Sequence, residues 1–413
     1  MKAQQIHDLI ASKKHLLAML ASEPKEASDP TNALNLQQWS DLCLMASQHR
    51  LEPALHDALQ RSHHRQSVPL NVREAWADDF RHATARALSA QITLLKIAKT
   101  LGQANIAYAA LKGSVLAWHV YANPALRPMR DIDILVSPQR AIDAYDALIA
   151  AGFERWADDP APISFTLEHN KSLPGLMHPR FRVNVELHSR LFEHQPTSRS
   201  DCLLFRNDDL LARRVWKELG AELVAFLPPT ETLLHLIVHS AAEHHFDNGP
   251  LVLNDIAAIL RCEAIDWPHF WAMAKEGSWQ RACQLLLAMT ETYHGERVIE
   301  WAAGLSQPVP TDIVENAALM MLQNFALRFD LAVQTELAVG APLTSRLRLW
   351  KRLFPARHVI AAFANRPNTL AAWMYYPSWL LSRLKRTAAG SFNPEQRAEA
   401  VRAGHIAAWL RAS

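Results

Sequence analysis

The sequence predicts a predominantly helical α+β protein with one central mixed sheet. Glycine is scarce, with 12 among 413 residues, while alanine and leucine are abundant, and this composition favours helix over sheet. Apolar residues recur at helical spacing towards both ends of the chain. Short alternating apolar segments between turn residues, typical of strands, are concentrated in the middle. We therefore expect helical residues 1–90, a sheet-containing domain over 91–200, and helical residues 201–413.

The N-terminal region is predicted to consist of helices. A first amphipathic helix begins near Ile6, and Pro24 and Pro30 interrupt the pattern that follows. The run over residues 75–102 predicts one long helix with a broad apolar face.

The middle region is predicted to alternate strands with helices. Gly113 opens a turn before a short helix over 115–121, and Ser137 and Pro138 are expected to cap and start a helix over 139–151. Strands are predicted over residues 106–111, 132–136, 165–167 and 181–187.

The C-terminal region combines predicted helices with a strong positive charge. Thr230, after two prolines, is expected to cap a helix. Residues 341–413 carry 12 Lys/Arg and 2 Asp/Glu, whereas the whole chain has a formal net charge of +2. Aromatic residues lie among these charges at 350–354 and 373–386. Such a mixture suits peripheral contact with an anionic membrane or a polyanion such as nucleic acid, and it equally suits a helical bundle with a basic outer face.

Cysteine and hydrophobic patterning argue against several protein classes. Cys43, Cys202, Cys262 and Cys283 form no Cys-x-x-Cys pair, so neither a cysteine-based zinc site nor a disulfide framework is expected. No run of about 18 apolar residues predicts a transmembrane helix, and the first residues do not resemble a signal peptide. These features predict a cytoplasmic protein.

Carboxylates on two predicted strands are the strongest chemical signal. Asp131 and Asp133 are two residues apart, so they point to the same face of a strand. Glu186 lies on a later strand, which would place a third carboxylate beside them if the two strands were neighbours. Three acids can hold two Mg²⁺ ions, with Mn²⁺ as a substitute, and two metal ions can clamp an in-line phosphoryl displacement.

A small turn before these strands suits a phosphate. Gly113 allows the backbone to approach the ligand closely, Ser114 adds a hydroxyl donor, and the following helix offers N–H groups. Lys112 and Arg127 can neutralise the charge of a triphosphate.

Three motifs, in this order, carry a family resemblance. They are Leu111-Lys112-Gly113, then Arg127-Pro128 ahead of Asp131-Ile132-Asp133, then Glu186-Leu187-His188. The chain resembles the uncharacterised nucleotidyltransferase family of the polymerase-β-like superfamily over about residues 100–190, and more weakly over 233–260. It departs from that superfamily in the 17 residues from Ser114 to Asp131, an interval that suits this family, and in having Glu186 where aspartate is usual.

The resemblance implies transfer of a nucleoside monophosphate from a nucleoside triphosphate, such as ATP, to a hydroxyl acceptor. Asp131, Asp133 and Glu186 would be the catalytic, metal-binding acids, and Glu186 would help to activate the acceptor. A small molecule or sugar is the first expectation for the acceptor, ahead of a protein side chain or tRNA. The alternatives are a catalytically weak nucleotide-binding or scaffold protein of a biosynthetic cluster, and the toxin of a toxin–antitoxin pair.

Three further residues are candidates for supporting roles. His188 is expected to orient Glu186 or to contact substrate, and His239 and Asp255 to lie beside the nucleotide pocket. His235 and His239 are four apart on a predicted helix, which also permits a zinc pair, but the glutamate of a His-Glu-x-x-His motif is absent.

Overall fold

The structure is a computed structural model whose described residues fall into several ranges. These are residues 3–21, 34–61, 65–156, 163, 166–167, 170–193, 205–295, 308–325, 355, 357–364, 370–391 and 394–411. The chain divides into two compact units. The larger comprises residues 15–34 and 49–309, and the smaller comprises residues 1–14, 35–48 and 310–413.

Helices make up most of the described chain, as predicted. They are α1 (Ala3–Leu20), α2 (Leu36–His49), α3 (Glu52–Arg61), α4 (Leu70–Gln103), α5 (Gly113–His119), α6 (Ala141–Ala150), α7 (Asn207–Ala212), α8 (Pro229–Val238), α9 (Leu251–Cys262), α10 (Trp267–Glu276), α11 (Gln280–His294), α12 (Thr311–Met321), α13 (Arg357–Phe363), α14 (Tyr376–Ser391) and α15 (Pro394–Arg411). A π-helical turn, His239–Glu243, extends α8.

The strands of the larger unit form one mixed sheet. They are β1 (Tyr108–Ala110), β2 (Asp131–Val136), β3 (Glu154–Arg155), β4 (Leu176–Met177), β5 (Asn184–His188), β6 (Val215–Leu219) and β7 (Glu222–Phe226). Within the described residues their order is β3-β4-β5-β2-β1-β7-β6. β2 lies in the centre, antiparallel to β1 and parallel to β5. The predicted α+β, predominantly helical class with a central mixed sheet is confirmed.

Apolar residues of the two central strands build the core on which the site rests. Ile132 and Ile134 of β2 and Val185 and Leu187 of β5 are buried. Residues on one strand alternate between the two faces of the sheet. The intervening polar residues of both strands are therefore presented together on the opposite face.

The long helix predicted at residues 75–102 is present as α4, and it buries one stripe of its surface. Trp76, Leu94, Ile97 and Leu101 of this stripe are almost fully buried. This spacing follows the helical period, so the apolar pattern that predicts the helix also packs it against the core.

Three local predictions from the sequence are wrong. The segment 165–167 was expected to be a strand, but Thr166 and Leu167 are helical, and the Thr166 hydroxyl donates to the Ile163 carbonyl at 2.9 Å. Ser137 stands at the N-cap position and Pro138 in the first turn, as expected, but the turn is a 3₁₀ turn ahead of α6, and the Ser137 hydroxyl bonds to the Gln139 side chain instead of capping. At Thr166 and at Ser137, a local hydrogen bond of the side chain outweighs the residue's average preference for a strand or a helix cap.

The third wrong prediction concerns the start of α8. This helix begins at Pro229, and Thr230 lies inside it, where its hydroxyl accepts the Asp266 N–H at 3.0 Å. Beyond residue 200 the sequence predicts helices, yet β6 and β7 form a hairpin that joins the sheet beside β1. Gly220, with φ of 65°, allows the tight turn of this hairpin.

The smaller unit contains a buried ion pair between distant parts of the sequence. Lys13 Nζ lies 2.6 Å from Glu399 Oε1 and 3.4 Å from the Leu319 carbonyl oxygen. Both charged side chains are almost fully buried. The pair therefore links α1, α12 and α15 within this unit.

The basic, aromatic region is described in part. The 350–354 segment lies outside the described residues. Trp379 is buried, whereas Trp373 is 42% exposed. Among the helices searched, none combines the length and apolar character needed to cross a bilayer. Contact of residues 341–413 with an anionic surface stays a prediction.

Candidate active site

Pairing of β2 with β5 brings the carboxylates together. The register places Asp133 opposite Glu186 and Asp131 opposite Asn184 in a parallel pair. Paired residues project from the same face of a sheet, so Glu186 lies beside both aspartates. The neighbouring strand that the sequence argument required is therefore present, although Asp131 and Glu186 are 55 positions apart.

Asp133 is the most enclosed of the three acids. Its Oδ2 lies 3.0 Å from Lys112 Nζ, and its Oδ1 lies 2.8 Å from His188 Nε2. Burial alone would raise its pKa, but the Lys112 ammonium and the His188 hydrogen bond hold the pKa of Asp133 well below its usual range. Asp133 is therefore ionised, and both of its oxygens face a donor.

Asp131 and Glu186 are more open. Burial and the neighbouring Asp133 charge raise the pKa of Asp131 to about 6, against the opposing effect of Lys112. The Glu186 side chain is 41% exposed, and its Oε2 lies 3.6 Å from His188 Nε2. His188 thus touches two acids at once. Burial lowers the pKa of His188, but the hydrogen bond to Asp133 and the charge of that carboxylate have the larger effect. The pKa of His188 is therefore raised.

The Lys112-Gly113 turn positions the cation of the site. The Leu111 N–H donates to the Asp133 carbonyl oxygen at 2.9 Å, which fixes the turn against β2. Lys112 has φ of 47° and ψ of −121°, a conformation that L side chains rarely adopt. Such a conformation costs about 1–3 kcal/mol and typically persists where function requires it. A Cβ at Gly113 would lie 2.8 Å from Met129 Cγ, so glycine is needed for close packing.

Ser114 follows in the same turn with an unsatisfied hydroxyl. The side chain is almost fully buried, and its Oγ has no hydrogen-bond partner among the described residues. The N–H groups of Ser114 and Val115 donate within the turn, to the carbonyls of Leu111 and Lys112. The hydroxyl is thus available to a ligand, whereas these two amide groups, expected to be free, are already used.

Arg127 belongs to a second buried cluster behind the turn. Its Nε lies 2.7 Å from Asp255 Oδ1, and the Tyr121 hydroxyl donates to the same carboxylate at 2.8 Å. The Asp255 charge raises the pKa of Arg127, outweighing burial. Arg127 Nη1 lies 3.7 Å from where a Cβ on Gly113 would be. Asp255 therefore holds the guanidinium beside the turn.

A third cluster surrounds Glu243 on the π-helical turn after α8. This carboxylate lies 2.5 Å from Lys171 Nζ and 2.9 Å from His239 Nδ1, and it accepts the Glu193 N–H at 2.8 Å. Lys171 is joined to the end of β5, because its carbonyl accepts the Ser189 N–H at 2.8 Å. The cluster is therefore attached to the chain at Ser189, the residue that follows His188.

Two histidines near this cluster, His235 and His239, are neutral. Burial and the charge of Lys112 lower the pKa of His239 to about 3, in spite of the hydrogen bond to Glu243. The same two causes lower the pKa of His235 well below its usual value. His235 and His239 belong to no group of potential metal ligands within the described residues, so nothing there supports the zinc pair.

A divalent cation fits the carboxylate cluster. Asp133, Glu186 and His188 each offer one ligand atom, and these atoms lie within 4.8 Å of one another. Carboxylate oxygens are the ligands that Mg²⁺ and Mn²⁺ prefer, and imidazole nitrogen is a common ligand of other divalent metals. Asp131 is on the same face of β2 but has no atom in this group, so its part in binding a metal stays a prediction.

Fold and site together define a class of protein. A mixed sheet that places an Asp-x-Asp strand parallel to a strand with a third acid, beside a Lys-Gly-Ser turn, is the arrangement expected of a nucleotidyltransferase. Residues 35–295 match the family described as "Uncharacterised nucleotidyltransferase". This match spans more than half of the chain, and the protein belongs to that family. Comparison with curated proteins gave no match.

The structure brings most of the predicted residues into one region. Asp133, Glu186, His188 and Lys112 are in direct contact, and Gly113 and Ser114 continue the same turn. Arg127, predicted to neutralise phosphate charge, forms an ion pair with Asp255, predicted to lie beside the nucleotide pocket. Lys171, Tyr121 and Glu243 are additions that the sequence argument missed. His-x-x-x-Glu at 239 and 243 was a readable signal, because positions four apart meet on a helix.

Proposed function

We propose that the protein transfers a nucleoside monophosphate from a nucleoside triphosphate to a hydroxyl acceptor, with Mg²⁺ as the metal. One observation carries the proposal: the parallel register of β2 and β5 sets Glu186 opposite Asp133, and the Lys112 ammonium contacts the Asp133 carboxylate. Membership of the family supports nucleotidyl transfer in general.

Asp131, Asp133 and Glu186 would hold the divalent metal, with His188 either as a ligand or as a hydrogen-bond donor to the acids. When bound, Mg²⁺ would neutralise charge on the triphosphate and on the leaving pyrophosphate. Asp133 is buried and its pKa is held well below its usual range, so it would offer a charged carboxylate to the metal.

The turn and its neighbours would hold the triphosphate. Lys112 and Arg127 supply positive charge, and the Ser114 hydroxyl can donate to a phosphate oxygen. Asp255 and Tyr121 act as positioning residues, because they fix Arg127 and do not themselves reach the turn. Phosphoryl transfer depends mainly on positioning and electrostatics, so these contacts would supply most of the protein's contribution.

The reaction exchanges one bond at the α-phosphorus for another. The acceptor oxygen forms a bond to this phosphorus, the bond to the β-phosphate oxygen breaks, and pyrophosphate leaves with that electron pair. Glu186, whose side chain is 41% exposed, would take the proton of the acceptor hydroxyl. A small molecule or sugar is the first candidate for the acceptor.

The test is transfer of radioactive label from each of four α-³²P-labelled nucleoside triphosphates. Purified protein, Mg²⁺ or Mn²⁺, and separated metabolite, protein and RNA fractions of a cell extract are incubated together, and pyrophosphate release is measured. Wild type is expected to label one fraction, and Asp133→Asn to label none. Asp143→Asn, which removes a carboxylate paired with Arg140 on an exposed surface, is the matched control.

A nucleotide-binding or scaffold role is the second candidate. It is favoured by the Lys112 contact, since a cation already occupies the central carboxylate. Calorimetric binding of a nucleoside triphosphate, without pyrophosphate release in any extract fraction, would support this role and contradict the transferase proposal.

A further inference from the structure

We propose that Lys112 is a stand-in cation: before metal and nucleotide bind, its ammonium neutralises the carboxylate cluster, and when they bind it moves to the triphosphate. The movement to the triphosphate rests on the proposed function. The occupation of the cluster does not, because it follows from contacts and charges within this chain.

The position of the ammonium is the first argument. Lys112 Nζ lies 3.0 Å from Asp133 Oδ2, and its side chain is 13% exposed. The charges of Asp131, Asp133 and Glu186 all act on it. The ammonium is therefore in contact with one carboxylate and within the electrostatic field of two more.

Competition for Asp133 is the second argument. His188 occupies Oδ1 of this carboxylate at 2.8 Å, and Lys112 occupies Oδ2. A metal ion that used Asp133 Oδ2 would meet the ammonium at about the same place, and like charges repel strongly where water is excluded. Metal binding through Oδ2 therefore requires the ammonium to leave.

The backbone at Lys112 is the third argument. Its φ of 47° and ψ of −121° aim the side chain back at β2, at a cost that glycine would avoid. The unpartnered Ser114 hydroxyl lies two residues along the same turn, almost fully buried. A phosphate bound there would give the displaced ammonium a new partner.

These arguments predict opposite effects of one substitution on two ligands. Lys112→Met keeps the length of the side chain and the backbone conformation but removes the charge. Mn²⁺ alone should then bind about tenfold more tightly, since a neighbouring cation is lost. Tripolyphosphate, which carries the triphosphate charge without a base, should bind at least about tenfold more weakly.

The experiment uses the full chain and two controls. Mn²⁺ binding is measured from the electron paramagnetic resonance signal of free Mn²⁺, and tripolyphosphate binding by calorimetry. Lys112→Arg keeps the charge and should bind Mn²⁺ as wild type does. Lys217→Met removes a lysine that pairs with Glu263 away from the cluster, and it should change neither affinity. Melting curves check folding, and Mn²⁺ should raise the melting temperature of Lys112→Met more than that of wild type.

Each outcome decides part of the proposal. Equal or weaker Mn²⁺ binding by Lys112→Met, or no Mn²⁺ binding by any variant, overturns it. Tighter Mn²⁺ binding with unchanged tripolyphosphate binding overturns the movement to the phosphates and keeps the occupation of the cluster. Tighter Mn²⁺ binding together with a wild type that transfers no nucleotide contradicts the proposed function alone.

Discussion

Two buried carboxylates with basic partners, Asp133 and Asp255, lie in the same unit, yet their surroundings differ in charge. Asp255 has one guanidinium, from Arg127, and one hydroxyl, from Tyr121, so its charge is matched. Asp133 shares Lys112 with two further acids, Asp131 and Glu186. The first cluster sets one carboxylate against one guanidinium, whereas the second sets three carboxylates against the Lys112 ammonium and the His188 imidazole, whose pKa is raised.

The difference separates a structural role from a ligand-binding one. A buried charge is tolerated when its partners satisfy it, and removal of a partner is then costly. An excess of negative charge destabilises the folded protein until a cation binds from solution. Four substitutions test this distinction.

The largest expected effect is on catalysis, at Asp133. Asp133→Asn should lower nucleotide transfer about a hundred- to a thousandfold, because it removes the carboxylate that contacts Lys112 and that we propose as a metal ligand. Pyrophosphate release measures the change, and Asp143→Asn serves as the control. Full activity of Asp133→Asn would place the chemistry elsewhere in the molecule.

The largest expected effect on stability is at Asp255. Asp255→Ala leaves the Arg127 guanidinium, 17% exposed, without its carboxylate, and should lower the free energy of unfolding by about 3 kcal/mol. Urea unfolding measures it. Asp133→Asn in metal-free buffer should cost less, since it also relieves repulsion. If Asp133→Asn cost more than Asp255→Ala, the distinction between the clusters would fail.

Asp131→Asn is expected to stabilise the protein, unlike Asp255→Ala, and the size of this effect depends on pH. The pKa of Asp131 rises from 3.8 to about 6 on folding, so the metal-free wild type loses stability as the pH increases between these values. Asp131→Asn does not ionise and escapes this loss. The variant should therefore be more stable by about 1–2 kcal/mol at pH 8, and the advantage should disappear near pH 4. Thermal unfolding in EDTA at both pH values measures the difference, and an advantage confined to pH 4 would reverse the sign.

The smallest effect is expected at Tyr121. Tyr121→Phe removes one hydrogen bond to Asp255 and leaves the Arg127 pair, so the free energy of unfolding should fall by about 1 kcal/mol. Burial, and then the Asp255 charge, raise the pKa of Tyr121 well above its usual value, so the hydroxyl stays a donor at neutral pH. A loss as large as that of Asp255→Ala would show that Tyr121, not Arg127, holds the cluster together.

The sequence predicted the members of the site better than their pairing. Asp131, Asp133 and Glu186 could be found because strand alternation fixes which residues share a face. That Lys112 contacts Asp133 while Arg127 contacts Asp255 depends on packing between distant segments, and no local pattern encodes it. Lys171 and Glu243 are 72 positions apart and meet for the same reason.

Helices and strands were also predicted where the sequence pattern is local and regular, and missed where it is not. α4 and β2 have periodic apolar residues over many positions, and both were predicted. The β6–β7 hairpin was missed because residues 215–219 and 222–226 do not alternate apolar with polar residues, and Gly220 at the turn is a weak signal by itself. Thr166 was misassigned because its hydroxyl bonds locally, a contact that outweighs strand propensity.

The Lys13–Glu399 pair of the smaller unit has a consequence for folding during synthesis. The ribosome makes Lys13 of α1 well before the carboxylate that neutralises it, which is added 386 residues later. Until then α1 cannot bury that lysine without leaving an unpaired charge. At about 5–20 residues per second the delay is roughly 20–80 seconds, during which the larger unit can fold first. We expect α1 to be the segment that most needs protection from misfolding while the chain is still being made.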